Sequence, residues 1–264
     1  MLPRNPMSYP APFFAALHRG TAGDLDHYVR VCQGAGSVLE LGCGYGRVVT
    51  ALAAPGRVVV GVERDPQLLA MARQAVQALP KAHQAGVSLC EGDMRTVSLH
   101  RGFDRVLIPF GGLYCLLTDD DVDAALANAV RHLAPGGQVA LDVYRADAFH
   151  RESEPDDVPD DAHEPLCRVE VDGVDYEVLE RSTWDKPRQR IDVSYLYVDD
   201  HGRAVEGTIA QRYLLEPQLR AALSRAGLRI VELTDRFDPD RPERDSDGSD
   251  DALMVVRAER EVGR

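Results

Sequence analysis

Val38-Leu39-Glu40-Leu41-Gly42-Cys43-Gly44-Tyr45-Gly46 sets branched apolar residues directly before three glycines spaced G-x-G-x-G. Such a run predicts a buried strand over 37–41 that ends in a tight turn and leads into a helix over 47–54. Glycine permits positive φ and lets a ligand lie against the backbone itself. The usual dinucleotide fingerprint is G-x-G-x-x-G, and here Arg47 follows the third glycine instead.

Outward from this turn the chain alternates between strand and helix. Residues 57–62 form a β-branched run, and Asp65-Pro66 opens a helix to about Leu79, with Asp as N-cap and Pro at the first helical position. Residues 87–90 and 104–108 are further short strands. Residues 119–133 read as a helix whose first turn is acidic, as the helix dipole favours. Pro135-Gly136-Gly137 stops that helix before a fifth strand at 138–144. Apolar strands alternating with helices imply a parallel sheet covered on both faces. After residue 150 the texture changes. Asp172-Gly173 between alternating strands is a hairpin signal, and 169–215 reads as an antiparallel insert of three or four strands. Residues 216–226, 228–234 and 252–258 follow as helix, strand and strand. The first 36 residues read as amphipathic helices.

Three more signals fall at strand ends. Glu63 stands 21 residues after Gly42, where a carboxylate can accept ribose hydroxyls, with Arg64 next to it. Glu91-Gly92-Asp93-Met94 offers an acid to an adenine amino group and a thioether to its ring face. Pro109-Phe110-Gly111-Gly112 supplies an irregular turn at the pocket edge. The carboxyl ends of strands are where open α/β sheets bind ligands.

Together these motifs resemble the class I S-adenosylmethionine-dependent methyltransferases, over about 38–258. Val38 to Gly46 looks like their first motif, Val62-Glu63 like their ribose-binding acid, Glu91 to Met94 like their adenine-binding turn, and Leu133-Ala134-Pro135-Gly136-Gly137 like their loop before strand five. The resemblance implies an α/β, Rossmann-like seven-stranded sheet with the last strand antiparallel, an antiparallel β-hairpin insert and an N-terminal helical cap. It implies S-adenosyl-L-methionine as cofactor, with Glu40 steadying the turn and the methionine end. The cofactor set is then Tyr28, Glu40, Gly42, Cys43, Gly44, Glu63, Arg64, Asp93, Met94 and Pro109. Gly92-Asp93-Met94-Arg95, the segment 110–116 and the insert are similar to bacterial small-molecule N-methyltransferases, including aminosugar N,N-dimethyltransferases.

The domain organisation expected is a cap at 1–36, a cofactor-binding core at 37–150 and 214–264, and an acidic loop with the β insert at 151–213. Methyl transfer from a sulfonium is an in-line displacement, so alignment dominates. His18, Tyr114 and Tyr144 are the candidates for the reacting end, with Tyr9, Phe14 and Tyr114 for the acceptor. Trp184, Tyr195 and Tyr197 suit core or dimer contacts, so a homodimer through the insert is the partner expectation beside a small-molecule substrate. O-methylation, a non-catalytic binding module and a nicotinamide oxidoreductase are the competing readings.

Composition bounds these readings. Of 264 residues 44% are hydrophobic and 28% charged, which suits a globular chain. The formal charge of −13 is concentrated in two runs: 152–164 carries −7 and 235–251 carries −5. Both read as solvated loops, and with no basic face nucleic acid is not an expected partner. No apolar run approaches the roughly 20 residues that span a bilayer, so no membrane is expected, and the proline-rich start does not read as a signal peptide. Cys32, Cys43, Cys90, Cys115 and Cys167 form no Cys-x-x-Cys pair. Their scatter suggests reduced cytoplasmic thiols and no metal site.

Overall fold

The computed structural model describes residues 7–154, 163–238 and 252–261. Most of both acidic runs, 155–162 and 239–251, lies outside the described residues. Contacts divide the chain into two units, Met1–Arg19 with Ala146–Leu214 and Gly20–Arg145 with Leu215–Arg264. Among the described residues no helix is long and apolar enough to cross a membrane.

The larger unit is built on β2 (Ser37–Leu41), β3 (Val58–Glu63), β4 (Val87–Glu91), β5 (Phe103–Ile108), β6 (Leu133–Tyr144), β11 (Leu228–Thr234) and β12 (Leu253–Arg260). They form one seven-stranded sheet in the order β11-β12-β6-β5-β2-β3-β4. β2 pairs in parallel with both β3 and β5, whereas β12 runs antiparallel to β6 and β11. The expected sheet with an antiparallel last strand is the observed one. Strand order reverses between β2 and β5, and a reversal of this kind opens a crevice beyond the carboxyl ends of the strands. Val38, Leu39, Leu41, Val106, Leu107 and Ile108 are wholly enclosed. That explains why these strands read as unbroken apolar runs.

The helices of this unit are α2 (Asp24–Val31), α3 (Arg47–Leu52), α4 (Pro66–Gln77), α5 (Lys81–Gln84), α6 (Asp119–Arg131) and α8 (Glu216–Arg225). Asp65 caps α4 by accepting from Gln67 N at 2.8 Å and Leu68 N at 3.1 Å. Thr118 caps α6, and Asp119 to Asp121 fill its first turn. Pro135 does not delay the following strand: β6 starts at Leu133 and absorbs the Pro-Gly-Gly segment through an irregularity in its pairing with β5. Gly137 makes this possible, because a Cβ there would stand 2.7 Å from Phe103 O.

The smaller unit is a five-stranded antiparallel sheet of β1 (Met7–Ser8), β7 (Glu164–Val171), β8 (Val174–Asp185), β9 (Arg190–Asp199) and β10 (Ala204–Arg212), ordered β1-β10-β9-β8-β7. The Asp172-Gly173 turn has positive φ at both residues, 52° and 77°, as a tight hairpin requires. The unit also carries α1 (Ala11–Leu17) and α7 (Asp147–Glu152). One expectation is corrected here, since the chain start is not wholly helical. Met7 and Ser8 pair with Ile209 and Thr208 instead. Pro10 explains the boundary, because a proline disfavours the helical conformation in the residue before it. The expected cap over 1–36 is also shared out. α1 packs Phe13 against Tyr197 at 4.9 Å, whereas α2 buries Tyr28 in the core of the larger unit.

Gly61 in β3 sets how closely the glycine turn and α3 can sit on the sheet. A Cβ at Gly61 would lie 2.8 Å from Cys43 Sγ and 2.9 Å from Val49 Cγ2. We therefore expect Gly61→Ala to destabilise the fold by about 1–3 kcal/mol, the usual cost of overpacking a filled core. Urea unfolding measures this, and wild-type stability would contradict such tight seating of the turn.

Candidate active site

The glycine turn lies between β2 and α3. Gly42, Gly44 and Gly46 all have positive φ, at 78°, 53° and 87°. The backbone N–H groups of Gly42 and Cys43 both donate to Val62 O, at 2.8 and 2.9 Å. A Cβ at Gly44 would meet nothing within 4 Å, so the tip of the turn faces open space. Gly46 is the reverse case, with a Cβ there falling 3.0 Å from Ala72 Cβ on α4. The Cys43 side chain is buried. The backbone of Cys43, and not its thiol, is the part that lies at the turn's surface.

Glu63, at the end of β3, is buried and holds the turn together. Its Oε2 accepts from Gly44 N at 2.9 Å, and its Oε1 from Arg64 N and Asp65 N at 2.8 Å each. A carboxylate has about four lone-pair sites, so Glu63 keeps acceptor capacity beyond these three. Arg64 itself is exposed. Beneath the turn Glu40 is buried, and its Oε2 has no hydrogen-bond partner. Burial holds its carboxyl well above the ordinary range, opposed chiefly by the Arg47 charge.

After β4, Asp93 is paired with Arg95, which donates from Nε to Oδ1 at 2.9 Å and from Nη2 to Oδ2 at 2.5 Å. Arg95 also donates to Asp121 at the start of α6, at 2.5 Å. The Arg95 bond holds Asp93 below the usual carboxylate range. Met94 reaches back to the glycine turn, its Cε lying 3.0 Å from where a Gly42 Cβ would stand. Its carbonyl accepts from the buried Asn128 Nδ2 at 2.8 Å.

After β5, Pro109 is buried, and Phe110 takes the left-handed conformation, φ 53°, with 38% of its surface exposed. Asp142 on β6 pins this turn. Its Oδ1 accepts from Phe110 N at 2.9 Å and from the Tyr28 hydroxyl, and its backbone O accepts from Gly111 N at 3.0 Å. The Arg47 guanidinium lies 5.7 Å from the Phe110 ring centroid and forms an ion pair with buried Asp24. Asp142, Asp24, Arg47 and Arg95 were all missed in the sequence. The available signals were a lone acid inside the apolar run 139–144 and an arginine directly after the third glycine.

Two of the expected site residues are enclosed. Tyr114 is fully enclosed, packs edge-on to Tyr144 at 4.8 Å between centroids, and donates to Tyr144 O at 3.0 Å. Tyr28 is also enclosed, and its hydroxyl is committed to Asp142, so it supports the Phe110 turn. Tyr144 is half-buried at the end of β6.

The remaining candidates, Tyr9, Phe14 and His18, belong to the smaller unit. Tyr9 shares a hydrogen bond with the Tyr197 hydroxyl, accepts or donates with His18 Nε2 at 3.2 Å, and stacks on Tyr195 at 5.7 Å. Phe14 lies edge-on to Tyr9 at 5.5 Å. Burial lowers His18 to about 4, so its imidazole is neutral at pH 7.

Burial raises Asp142 to about 6, against the opposing bonds from Tyr28 and Phe110. A carboxyl raised in the folded state contributes stability below its ordinary value near 3.8, lost as pH rises through about 6. The stability of wild type relative to Asp142→Asn should therefore fall between those values and stay level above them. Urea unfolding across pH measures this, and parallel curves for the two proteins would contradict it.

Residues 38–137 match the protein family described as Methyltransferase domain. A search of curated proteins finds no match. Solved structures are similar over nearly the whole chain. The CcbJ methyltransferase from Streptomyces caelestis is 24% identical, with TM-score 0.73, covering 91% of this chain and 90% of that one. The sugar N-methyltransferase KedS8 from a Streptoalloteichus species is 24% identical, with TM-score 0.67 and coverage of 95% and 92%. CalS10, an amino pentose methyltransferase from Micromonospora echinaspora, solved with S-adenosylmethionine bound, is 25% identical, with TM-score 0.62 and coverage of 90% and 92%. Residues 38–137 thus carry a methyltransferase domain, and the seven-stranded sheet on which the strand-end motifs lie is the fold these solved structures share.

Proposed function

We propose that the chain methylates an amine nitrogen of a small molecule. The observation that carries the cofactor half of this reading is Glu40 Oε2, a buried oxygen without a partner beneath an open glycine turn. Leaving a buried acceptor unmade costs about 1–3 kcal/mol, and the cationic methionine end of S-adenosylmethionine supplies what it lacks. The residues present fit that cofactor. Glu63 would hold the ribose, Asp93 and Met94 the adenine, and the backbone at Gly42, Cys43, Gly44 and Pro109 the remainder. When bound, the cofactor supplies an activated methyl on a sulfonium. The protein contributes alignment and exclusion of water.

Two observations support nitrogen over oxygen. The similar solved structures include a sugar N-methyltransferase and an amino pentose methyltransferase. In addition, His18 at about 4 is a weak base. A neutral amine needs little proton abstraction, whereas a hydroxyl needs a stronger base. Tyr9 and Phe14 are proposed to contact the acceptor, and Tyr144 to lie at the reacting end. The five free thiols support a reducing, cytoplasmic setting. Pairing of two copies through the insert is proposed at β7, an edge strand on which Leu166 is 50% exposed. Sedimentation equilibrium should then find a dimer that Leu166→Glu dissociates, and a monomer at every concentration would contradict this.

Glu63→Ala and Asp93→Ala should each weaken S-adenosylmethionine binding by about 1–3 kcal/mol, the usual range for a lost charge-assisted bond. Calorimetry on variants that keep the wild-type circular dichroism tests this, and unchanged affinity in both would overturn the cofactor assignment. Mass spectrometry across amines and phenols tests the acceptor. Methylated amines are the expected product, and turnover of hydroxyl acceptors alone would contradict the nitrogen reading.

A further inference from the structure

Away from the glycine turn, the larger unit has a cleft of about 300 Å³ between the later half of α2 and the sheet beneath it. Among the described residues, Arg30, Arg105 and Arg257 line it against a single carboxylate, Glu232, with Gln138 and Phe237 between them. His27, also at the cleft, is held below the ordinary histidine range by burial and by the Arg30 charge, so it adds no charge at neutral pH. Three guanidiniums facing one acid make an electropositive spot in a chain of formal charge −13.

Among the described residues, two of these arginines are anchored without being neutralised. Arg30 Nη2 donates to Phe237 O at 2.6 Å. Arg105 donates from Nε to Val31 O, at the last residue of α2, and from Nη1 to Asp104 O, both at 2.8 Å. These acceptors are uncharged carbonyls, and a guanidinium has five N–H donors. Arg30 and Arg105 therefore keep both positive charge and spare donors in fixed positions. Arg257 differs, because it is paired with Glu232 and donates to Gln138.

The cleft is separate from the cofactor rim. Arg105 pairs with Val38 near the start of β2, three residues before Ile108 ends β5. That is about 10 Å along the strand from the carboxyl end. A planar guanidinium fork matches the oxygens of a phosphoryl group, and a volume of this size is at the lower bound of small-molecule sites.

We propose that this cleft is a second ligand site, which takes a small phosphorylated anion on Arg30 and Arg105 and is opposed by Glu232. Such an anion breaks no ion pair at either arginine among the described residues. Calorimetric titration of the full chain with inorganic pyrophosphate, with and without saturating S-adenosylmethionine, tests it. Pyrophosphate should bind equally in both cases. Arg30→Gln should weaken binding about tenfold, as expected for a lost charge-assisted contact. Glu232→Gln should tighten it, a gain that mere damage to the fold would not give. Neither change should alter S-adenosylmethionine affinity. Absence of binding, equal affinity in all three proteins, or competition with S-adenosylmethionine would each overturn the site. Malonate binding as tightly as pyrophosphate would overturn its assignment to phosphorylated ligands.

Discussion

Everything at the cofactor rim depends on how the glycine turn is tied to the neighbouring strand. Two successive N–H groups, Gly42 and Cys43, share Val62 O, and Gly44 N is held by Glu63. These bonds join the carboxyl end of β2 to that of β3 through backbone N–H groups of the turn, two of them to the Val62 carbonyl and one to the Glu63 carboxylate. Gly61 then allows α3 and Cys43 to close over β3. A turn fixed in this way presents its open side at Gly44 without needing to rearrange around a ligand, which is the physical meaning of preorganisation.

Around that turn the protein buries more carboxyl groups than stability alone would favour. Asp24, Glu40, Glu63 and Asp142 are all buried. Burying a carboxylate costs several kcal/mol unless it is paired and hydrogen-bonded. Arg47 offsets Asp24, backbone N–H groups offset Glu63, and Tyr28 with Phe110 N offset Asp142. Glu40 is the least compensated of the four, with one oxygen left unmade. The same region holds Phe110 in a conformation that bulky residues rarely adopt. Local cost concentrated at one rim is the pattern expected where structure serves a ligand.

Much of the fold was legible because its signals are local. The Asp65-Pro66 cap, the acidic first turn of α6, the Asp172-Gly173 hairpin and the apolar runs of β2 and β5 each act within a few residues. What escaped were contacts between distant segments. Tyr28 meets Asp142 across 114 positions, and Arg95 meets Asp121 across 26. No periodicity encodes such pairs. For the same reason the full enclosure of Tyr114 was not legible, since an aromatic beside a glycine-rich turn suits core and surface alike. The strand Met7–Ser8 was hidden by the helical pattern that follows it, and only Pro10 marked the boundary.

The account stands or falls on the ligand of the glycine rim. Calorimetry of the chain with S-adenosylmethionine and, separately, with NAD tests it most directly. Binding of S-adenosylmethionine with no detectable binding of NAD is the expected result, and binding of NAD with none of S-adenosylmethionine would contradict it.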